Sequence, residues 1–226
     1  MSYEIFNEDC LEGMKRIPDG SVDLIVTDPP FFSGMTSSGY KRRLSDNSLT
    51  VPFWKLCFGE WQRILRDGGH IYLNTDWRTY PFMFNLLDDF FVLRNMIVWD
   101  YGWIKAGSFY RFTHELIIFA TKGKSQRAFE NCNDNSDVWR IKCINYTLPT
   151  KYHQAEKPVE LCEKMIRNSS VEGETILDCF MGSGTTGVAC VNLNRNFIGF
   201  ELEQKFFDIA RKRIDDAIAA KAQSLF

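Results

Sequence analysis

The sequence predicts an α/β protein: one domain built on a doubly wound, mostly parallel sheet of seven strands. Three observations carry that prediction. Short β-rich runs alternate with stretches of helical periodicity, which places helices between strands. A chain of 226 residues with 45% hydrophobic content can bury one good core. Two of the apolar runs end abruptly in turns, one rich in proline and one in glycine, as strands do where an open sheet offers its carboxyl edge to a ligand.

In order, the β-rich runs are 3–7, 22–27, 70–74, 92–99, 116–120, 175–178 and 197–200. In 53–66, Trp54, Cys57, Phe58, Trp61 and Leu65 fall on one face at i, i+3/i+4 spacing and predict a helix. Pro158 suits a first helical turn, with Cys162, Met165 and Ile166 lining one side of 158–167. Residues 185–193 read as a helix after the glycine turn. The last helix, 204–222, is amphipathic, with Phe206, Ile209, Ala210, Ile214, Ala217 and Ile218 expected inward. Two polar stretches, 33–50 and 122–152, break the rhythm and read as loops over the open end of the sheet. The second holds a short apolar island, Val138-Trp139-Arg140-Ile141.

Composition excludes several classes. A net charge of −2 rules out a grossly basic coat for nucleic acid. The charge is uneven, however: residues 34–152 hold 16 Lys/Arg against 11 Asp/Glu, and the remainder 11 against 18. A basic middle on an acidic frame is compatible with one phosphate-facing surface. The seven cysteines form no C-x-x-C pair, and several (Cys57, Cys162, Cys190) sit on apolar faces. Reduced core thiols and a cytoplasmic location are expected. No apolar run approaches the ~20 residues of a membrane span, and no signal peptide is seen.

Two segments carry the chemistry. Ile176-Leu177-Asp178 reads as a strand end, Phe180-Met181-Gly182-Ser183-Gly184 as a tight turn, and Thr185-Thr186 as the opening of a helix. Glycines let the backbone approach a ligand, and the helix start aims free N–H groups at it. Nineteen residues after Gly182, the next strand ends in Glu201, placed to accept hydrogen bonds from ribose hydroxyls. Thr185-Thr186-Gly187 follows the glycines, so this is not the G-x-G-x-x-G dinucleotide fingerprint. The second segment, Asp28-Pro29-Pro30-Phe31, ends the run 22–27. The exocyclic amine of adenine or cytosine is a poor nucleophile, because its lone pair is delocalised into the ring. Acceptors on its two hydrogens draw it toward tetrahedral geometry. The Asp28 carboxylate and the Pro29 carbonyl can be those acceptors, held by adjacent, proline-stiffened residues. Phe31 offers a flat face for the base to stack on.

With these motifs the chain resembles the DNA amino-methyltransferases that modify adenine N6 or cytosine N4, in the permuted β class, where the catalytic tetrapeptide precedes the cofactor turn. The resemblance spans nearly the whole chain and implies a circularly permuted, Rossmann-like methyltransferase sheet with S-adenosylmethionine as cofactor. It implies that Asp9 and the backbone of Cys10 reach the adenine of the cofactor. Lys157, in His153-Gln154-Ala155-Glu156-Lys157-Pro158, would cover its methionine end. Asp28, Asp178, Phe180, Gly182, Ser183, Gly184, Thr185, Thr186, Glu201 and Leu202 complete the implied cofactor set. The stretches 99–102 and 110–115 match family segments that precede its last strands. Three departures stand out: Cys179 replaces the usual Pro, Phe31 the commoner Tyr, and the variable DNA-reading region shrinks to about 30 residues, 122–152.

The implied reaction is direct methyl transfer to the amine of a base flipped out of duplex DNA. Asp in the first tetrapeptide position resembles the adenine branch; the cytosine branch usually carries Ser there, and the alternatives are a cytosine-N4 methyltransferase or a cofactor- or DNA-binding subunit that has lost catalysis. Candidate DNA contacts are Lys41, Arg42, Arg43, Lys105, Arg111, His114, Lys122, Lys124, Arg140 and Lys142. A protein glutamine methyltransferase uses similar chemistry, but there the cofactor turn comes first. No metal site is expected. The family also implies double-stranded DNA as partner, is compatible with a homodimer and a cognate restriction endonuclease, and points to a prokaryotic or phage origin.

Overall fold

The computed structural model describes residues 2–30, 47–104, 109–123, 136–144 and 156–223. The chain begins with strand Tyr3–Phe6 (β1), helix Cys10–Met14 (α1) and strand Val22–Thr27 (β2). Helix Asn47–Ile64 (α2) and strand Leu65–Thr75 (β3) follow, then helix Tyr80–Asp88 (α3) and strands Val92–Asp100 (β4) and His114–Thr121 (β5). A short strand, Val138–Arg140 (β6), precedes helix Val159–Ser169 (α4), strand Thr175–Asp178 (β7), helix Thr185–Asn192 (α5), strand Asn196–Phe200 (β8) and helix Gln204–Gln223 (α6).

The sheet runs β1-β8-β7-β2-β3-β5-β4-β6. Five of its pairings are parallel, and β5 runs against both its neighbours. The seven expected strands are all present. The eighth, β6, is the apolar island at 138–141, which pairs along β4 from Val98↔Val138 to Asp100↔Arg140 and buries Trp139 and Ile141. Three residues are too few to show a periodicity of two, so the island reads as loop until a neighbouring strand is in place. Likewise 47–50, expected as loop, begins α2.

Side chains alternate across the sheet and build a core on each face. Ile25, Ile71, Leu73 and Ile118 pack beneath Trp54, Cys57, Phe58 and Trp61 of α2 and Met83 and Leu87 of α3. Leu24, Val26, Tyr72, Ile117 and Phe119 pack beneath Leu161, Cys162 and Met165 of α4, with Ala189, Ala210 and Ile214 of α5 and α6. This is the doubly wound arrangement. In α6 only Ala210 and Ile214 are fully buried, and Ile218 lies exposed, because the helix continues past the sheet it covers. At the amino edge Arg66 bridges Asp23 at 2.8 Å and Glu174 at 2.7 Å, joining β2, β3 and the approach to β7. Among the described residues no helix is long and apolar enough to cross a membrane.

The pairing of β2 with β7 positions the site. Leu24↔Ile176 and Ile25↔Leu177 run parallel, so Asp178, level with Val26, and Asp28, two residues further on, both emerge at the carboxyl edge although 150 residues separate them.

Candidate active site

The glycine turn folds as its sequence demands. Gly182 has φ +52° and Gly184 φ +80°, both in the left-handed region that L side chains avoid. The Gly184 N–H donates to the Met181 carbonyl at 2.8 Å, and the Met181 N–H to the Phe200 carbonyl at 3.0 Å, which ties the turn to β8. Asp178 anchors it from below. One carboxylate oxygen accepts from the Thr27 hydroxyl (2.8 Å) and the Phe180 N–H (3.0 Å), the other from the Thr186 hydroxyl (2.7 Å). Burial pushes the Asp178 carboxyl up to about 6, against the pull of those three hydrogen bonds.

Glu201 follows β8 and accepts from the Gly182 N–H at 3.0 Å and the Glu203 N–H at 2.7 Å, so it holds the turn's shape. Burial raises its pKa and those N–H donors lower it, with burial prevailing. Asp9 caps α1 by accepting from the Leu11 N–H at 2.8 Å, and Cys10 beside it is buried. Cys179, where the family usually has Pro, is buried and takes the Trp61 indole N–H at 3.1 Å. From α6, Arg213 donates to the Ser183 carbonyl at 2.6 Å and pairs with Glu156 at 2.8 Å, clamping the turn to the chain just ahead of α4.

Asp9, Cys10, Asp178, Thr186 and Glu201 line one cavity of about 570 Å³, which continues past Phe180, Gly182 and Ser183 to Asp28 and Lys157. Its residues fit an adenosylmethionine. The acids Asp9 and Glu201 stand at one end, and a Cβ placed on Gly182 would meet nothing within 4 Å, so the turn leaves open the space a ligand backed onto it needs. Leu202, expected in the cofactor set, also lines the cavity, but 69% of its surface is exposed.

At the other end of the cavity Lys157 comes to Asp28. Its ammonium lies 2.6 Å from the Asp28 carboxylate and 3.1 Å from that of Glu115, with the Trp99 ring centroid 6.0 Å away. Burial depresses the Lys157 pKa, and the two carboxylates more than reverse that, leaving it above the ordinary lysine value. Lys157 is expected from the sequence at the methionine end of the cofactor; here its ammonium is committed to two carboxylates at the tips of β2 and β5. Pro29 is buried and Pro30 exposed. Phe31 lies outside the described residues.

Glu115, Asn74, Thr27 and the Glu156–Arg213 pair have no signature in the sequence. Each acquires its place only when β2, β3, β5 and β7 come together. Among the DNA candidates, Arg111, His114, Arg140 and Lys142 are exposed. His114 pairs with Asp100 across β5 and β4, and Arg140 stands opposite Asp100 on β6, so these side chains sit at the carboxyl edge with the cavity. Lys122 does not. It follows the far end of β5, its backbone pairs with Gly68 and Gly69, and its ammonium donates to the Leu65 carbonyl at 2.7 Å, at the opposite edge of the sheet. Because β5 runs antiparallel, its exit lies at the edge where β3 begins, which places Lys122 at the edge opposite the cavity. Lys41, Arg42, Arg43, Lys105 and Lys124 lie outside the described residues.

Comparison with known proteins is consistent with this geometry. A profile described as DNA methylase, for the N6/N4 methyltransferases, matches residues 22–212. The chain is 27% identical to the DNA adenine methyltransferase YhdJ of Escherichia coli (strain K12), over 98% of this chain and 85% of that protein. It is 30% identical to the type II methyltransferase M.HinfI of Haemophilus influenzae, over 93% of this chain and 67% of that one. Among solved structures it is similar to the M1.HpyAVI–SAM complex, with a TM-score of 0.73 and 26% identity over 94% of this chain and 99% of that chain.

Proposed function

Since the chain belongs to the family of N6/N4 DNA methyltransferases, which use S-adenosylmethionine, we propose that it methylates adenine N6 in DNA, on a base flipped out of a short duplex sequence. The observation that carries this reading is the Asp28 carboxylate at the tip of β2, sharing one cavity with the glycine turn on the adjacent parallel strand.

S-adenosylmethionine, when bound, supplies an electrophilic methyl group on a sulfonium centre. The chain's own residues bind, orient and exclude water. Asp9 and Cys10, together with Asp178, Phe180, Gly182, Ser183, Thr185, Thr186, Glu201 and Leu202, form the cofactor side of the cavity, and Gly184 shapes the turn behind it, against Ala210 of α6. The Asp28 carboxylate and the Pro29 carbonyl accept the two hydrogens of the target amine. Pro30 stiffens the exit, and Phe31 gives the base its stacking face. Lys157 holds Asp28 in place through a 2.6 Å ion pair. Fixed acceptors of this kind need little rearrangement as positive charge develops on the nitrogen.

The whole chain, 1–226, acts in this reading as a single methyltransferase domain in the cytoplasm, with a small recognition insert within about 122–152. Double-stranded DNA is the partner, and a homodimer and a cognate restriction endonuclease fit the same reading. Support for adenine comes from the Asp that opens the tetrapeptide and from the adenine methyltransferase among the relatives.

Transfer of tritiated methyl to unmethylated duplex DNA tests the activity, and modification-aware sequencing of DNA from expressing cells reports base and sequence together. N6-methyladenine at one short motif is expected; N4-methylcytosine would overturn the base assignment. Asp28→Ala should lower incorporation by at least about 100-fold with cofactor affinity little changed. Incorporation near the wild-type level would remove Asp28 from the mechanism.

A further inference from the structure

Asn74, at the end of β3, lines the same cavity as Asp28 and is 3% exposed. Its Nδ2 donates to the Thr27 carbonyl at 3.1 Å. A carbonyl can only accept, so this bond fixes the amide: Nδ2 faces Thr27 and Oδ1 faces away. No donor among the described residues reaches that Oδ1. Burying a carbonyl oxygen unpaired is unfavourable, which marks the position as one built for a donor that arrives from outside.

Register identifies the donor. Thr27 stands opposite Leu73, so Asp28 and Asn74 occupy the next level of neighbouring strands. Asn74 pairs with Ile117, and Glu115 lies two residues away on the same face of β5. The alternation that sends Val26, Tyr72 and Ile117 into one core continues to Asp28, Asn74 and Glu115 at the edge. Along the sheet β3 lies on the side of β2 away from β7 and the glycine turn. Asn74 therefore sits on the side of Asp28 away from the glycine turn. There the Lys157 ammonium already joins two carboxylates, Asp28 and Glu115. A neutral acceptor can stabilise a nitrogen that gains positive charge without adding another anion to this cluster.

We propose that Asn74 Oδ1 accepts a hydrogen bond from the exocyclic amine of the target base, sharing with the Asp28 carboxylate, in a three-centre bond, one of the amine's two hydrogens. The inference rests on the reading of Asp28 as the amine site. It makes Asn74 a residue that contacts substrate and holds the amine in its reactive orientation.

Asn74→Leu tests it, with Asn74→Ser, too short to reach the amine, read in parallel in case leucine disturbs folding. Each variant should lower kcat by about 10- to 100-fold and leave the cofactor Kd within about twofold. A purely structural role for the Thr27 bond could also slow turnover, so the deciding readout is discrimination. The duplex carries the methylated sequence with either adenine or purine, which lacks the amine, at the target position. Wild-type protein should bind the adenine duplex several-fold tighter, and the variants should lose most of that preference. A preference kept intact overturns the proposal, as does a cofactor Kd that weakens in step with kcat. Asp28→Ala separates the two levels: if it stays active, the amine site lies elsewhere and the parent reading fails; if it is inactive while Asn74→Leu turns over normally, only the role of Asn74 fails.

Discussion

At the scale of single residues, Asp178 shows how burial and hydrogen bonding compete. Three donors favour its carboxylate, from Thr27, Thr186 and the Phe180 N–H, yet burial prevails and the pKa rises to about 6 from 3.8. The linkage follows from that direction. Between about pH 4 and 6 the native state binds a proton at Asp178 that the unfolded chain has released, so this group stabilises the fold most at low pH. Its contribution is lost as pH rises through about 6. Asp178→Asn removes the titration while nearly preserving shape. Denaturant unfolding at pH 7.5 and pH 4.5 should show wild type gaining on the Asn variant by about 2 kcal/mol as pH falls. A gain in the opposite direction would mean that the three hydrogen bonds outweigh burial.

At the scale of elements, the turn between β7 and α5 separates two uses of glycine. Gly184 has φ +80°, and a Cβ there would lie 2.9 Å from both the Cα and the Cβ of Ala210 on α6. Gly182 has φ +52° and would meet nothing within 4 Å. Gly184→Ala should therefore combine backbone strain with displacement of a helix, costing about 2–4 kcal/mol. Gly182→Ala should cost only about 1–2 kcal/mol of stability while weakening cofactor binding, because its Cβ would enter the cavity. Thermal unfolding and cofactor titration of both variants check this; equal stability losses would contradict it. The turn was legible in the sequence because its chemistry is local, with glycines at fixed offsets from a strand end and an acid one strand later. The helices α1 and α3 were not, since five residues are too few for periodicity and Tyr80–Asp88 is apolar nearly throughout. Thr27 beside Asp178, and Glu115 and Asn74 beside Asp28 and Lys157, were illegible for another reason. Each is defined by partners 42 to 151 positions away, and no local pattern encodes which segments will adjoin.

At the scale of the molecule, charge and topology together divide the basic candidates between the two edges of the sheet. The excess of Lys and Arg between residues 34 and 152 suggests a phosphate-facing surface, but a count along the sequence does not say where each charge lies. The antiparallel course of β5 divides the described candidates. Its start, with Arg111 just ahead, opens beside the cavity, whereas its end sends Lys122 to the far edge. The strand β6 then returns the chain to the carboxyl edge at Arg140, whose side chain is 85% exposed with Asp100 3.8 Å away. Lys142 follows two residues on and is exposed. Charges that neutralise phosphates release counterions, and each contact contributes about 0.9 to the slope of log affinity against log salt. Arg140→Ala combined with Lys142→Ala should therefore lower that slope by about 1–2 and weaken DNA binding, with the cofactor Kd unchanged. Lys122→Ala serves as the control, since it removes a similar charge from the opposite edge and should leave the salt slope at the wild-type value. Fluorescence anisotropy of a labelled duplex across a salt series makes the measurement. An unchanged slope in the double variant would show that these side chains are solvated charges, and equal losses in both proteins would show that net charge, and not the edge on which it lies, governs association.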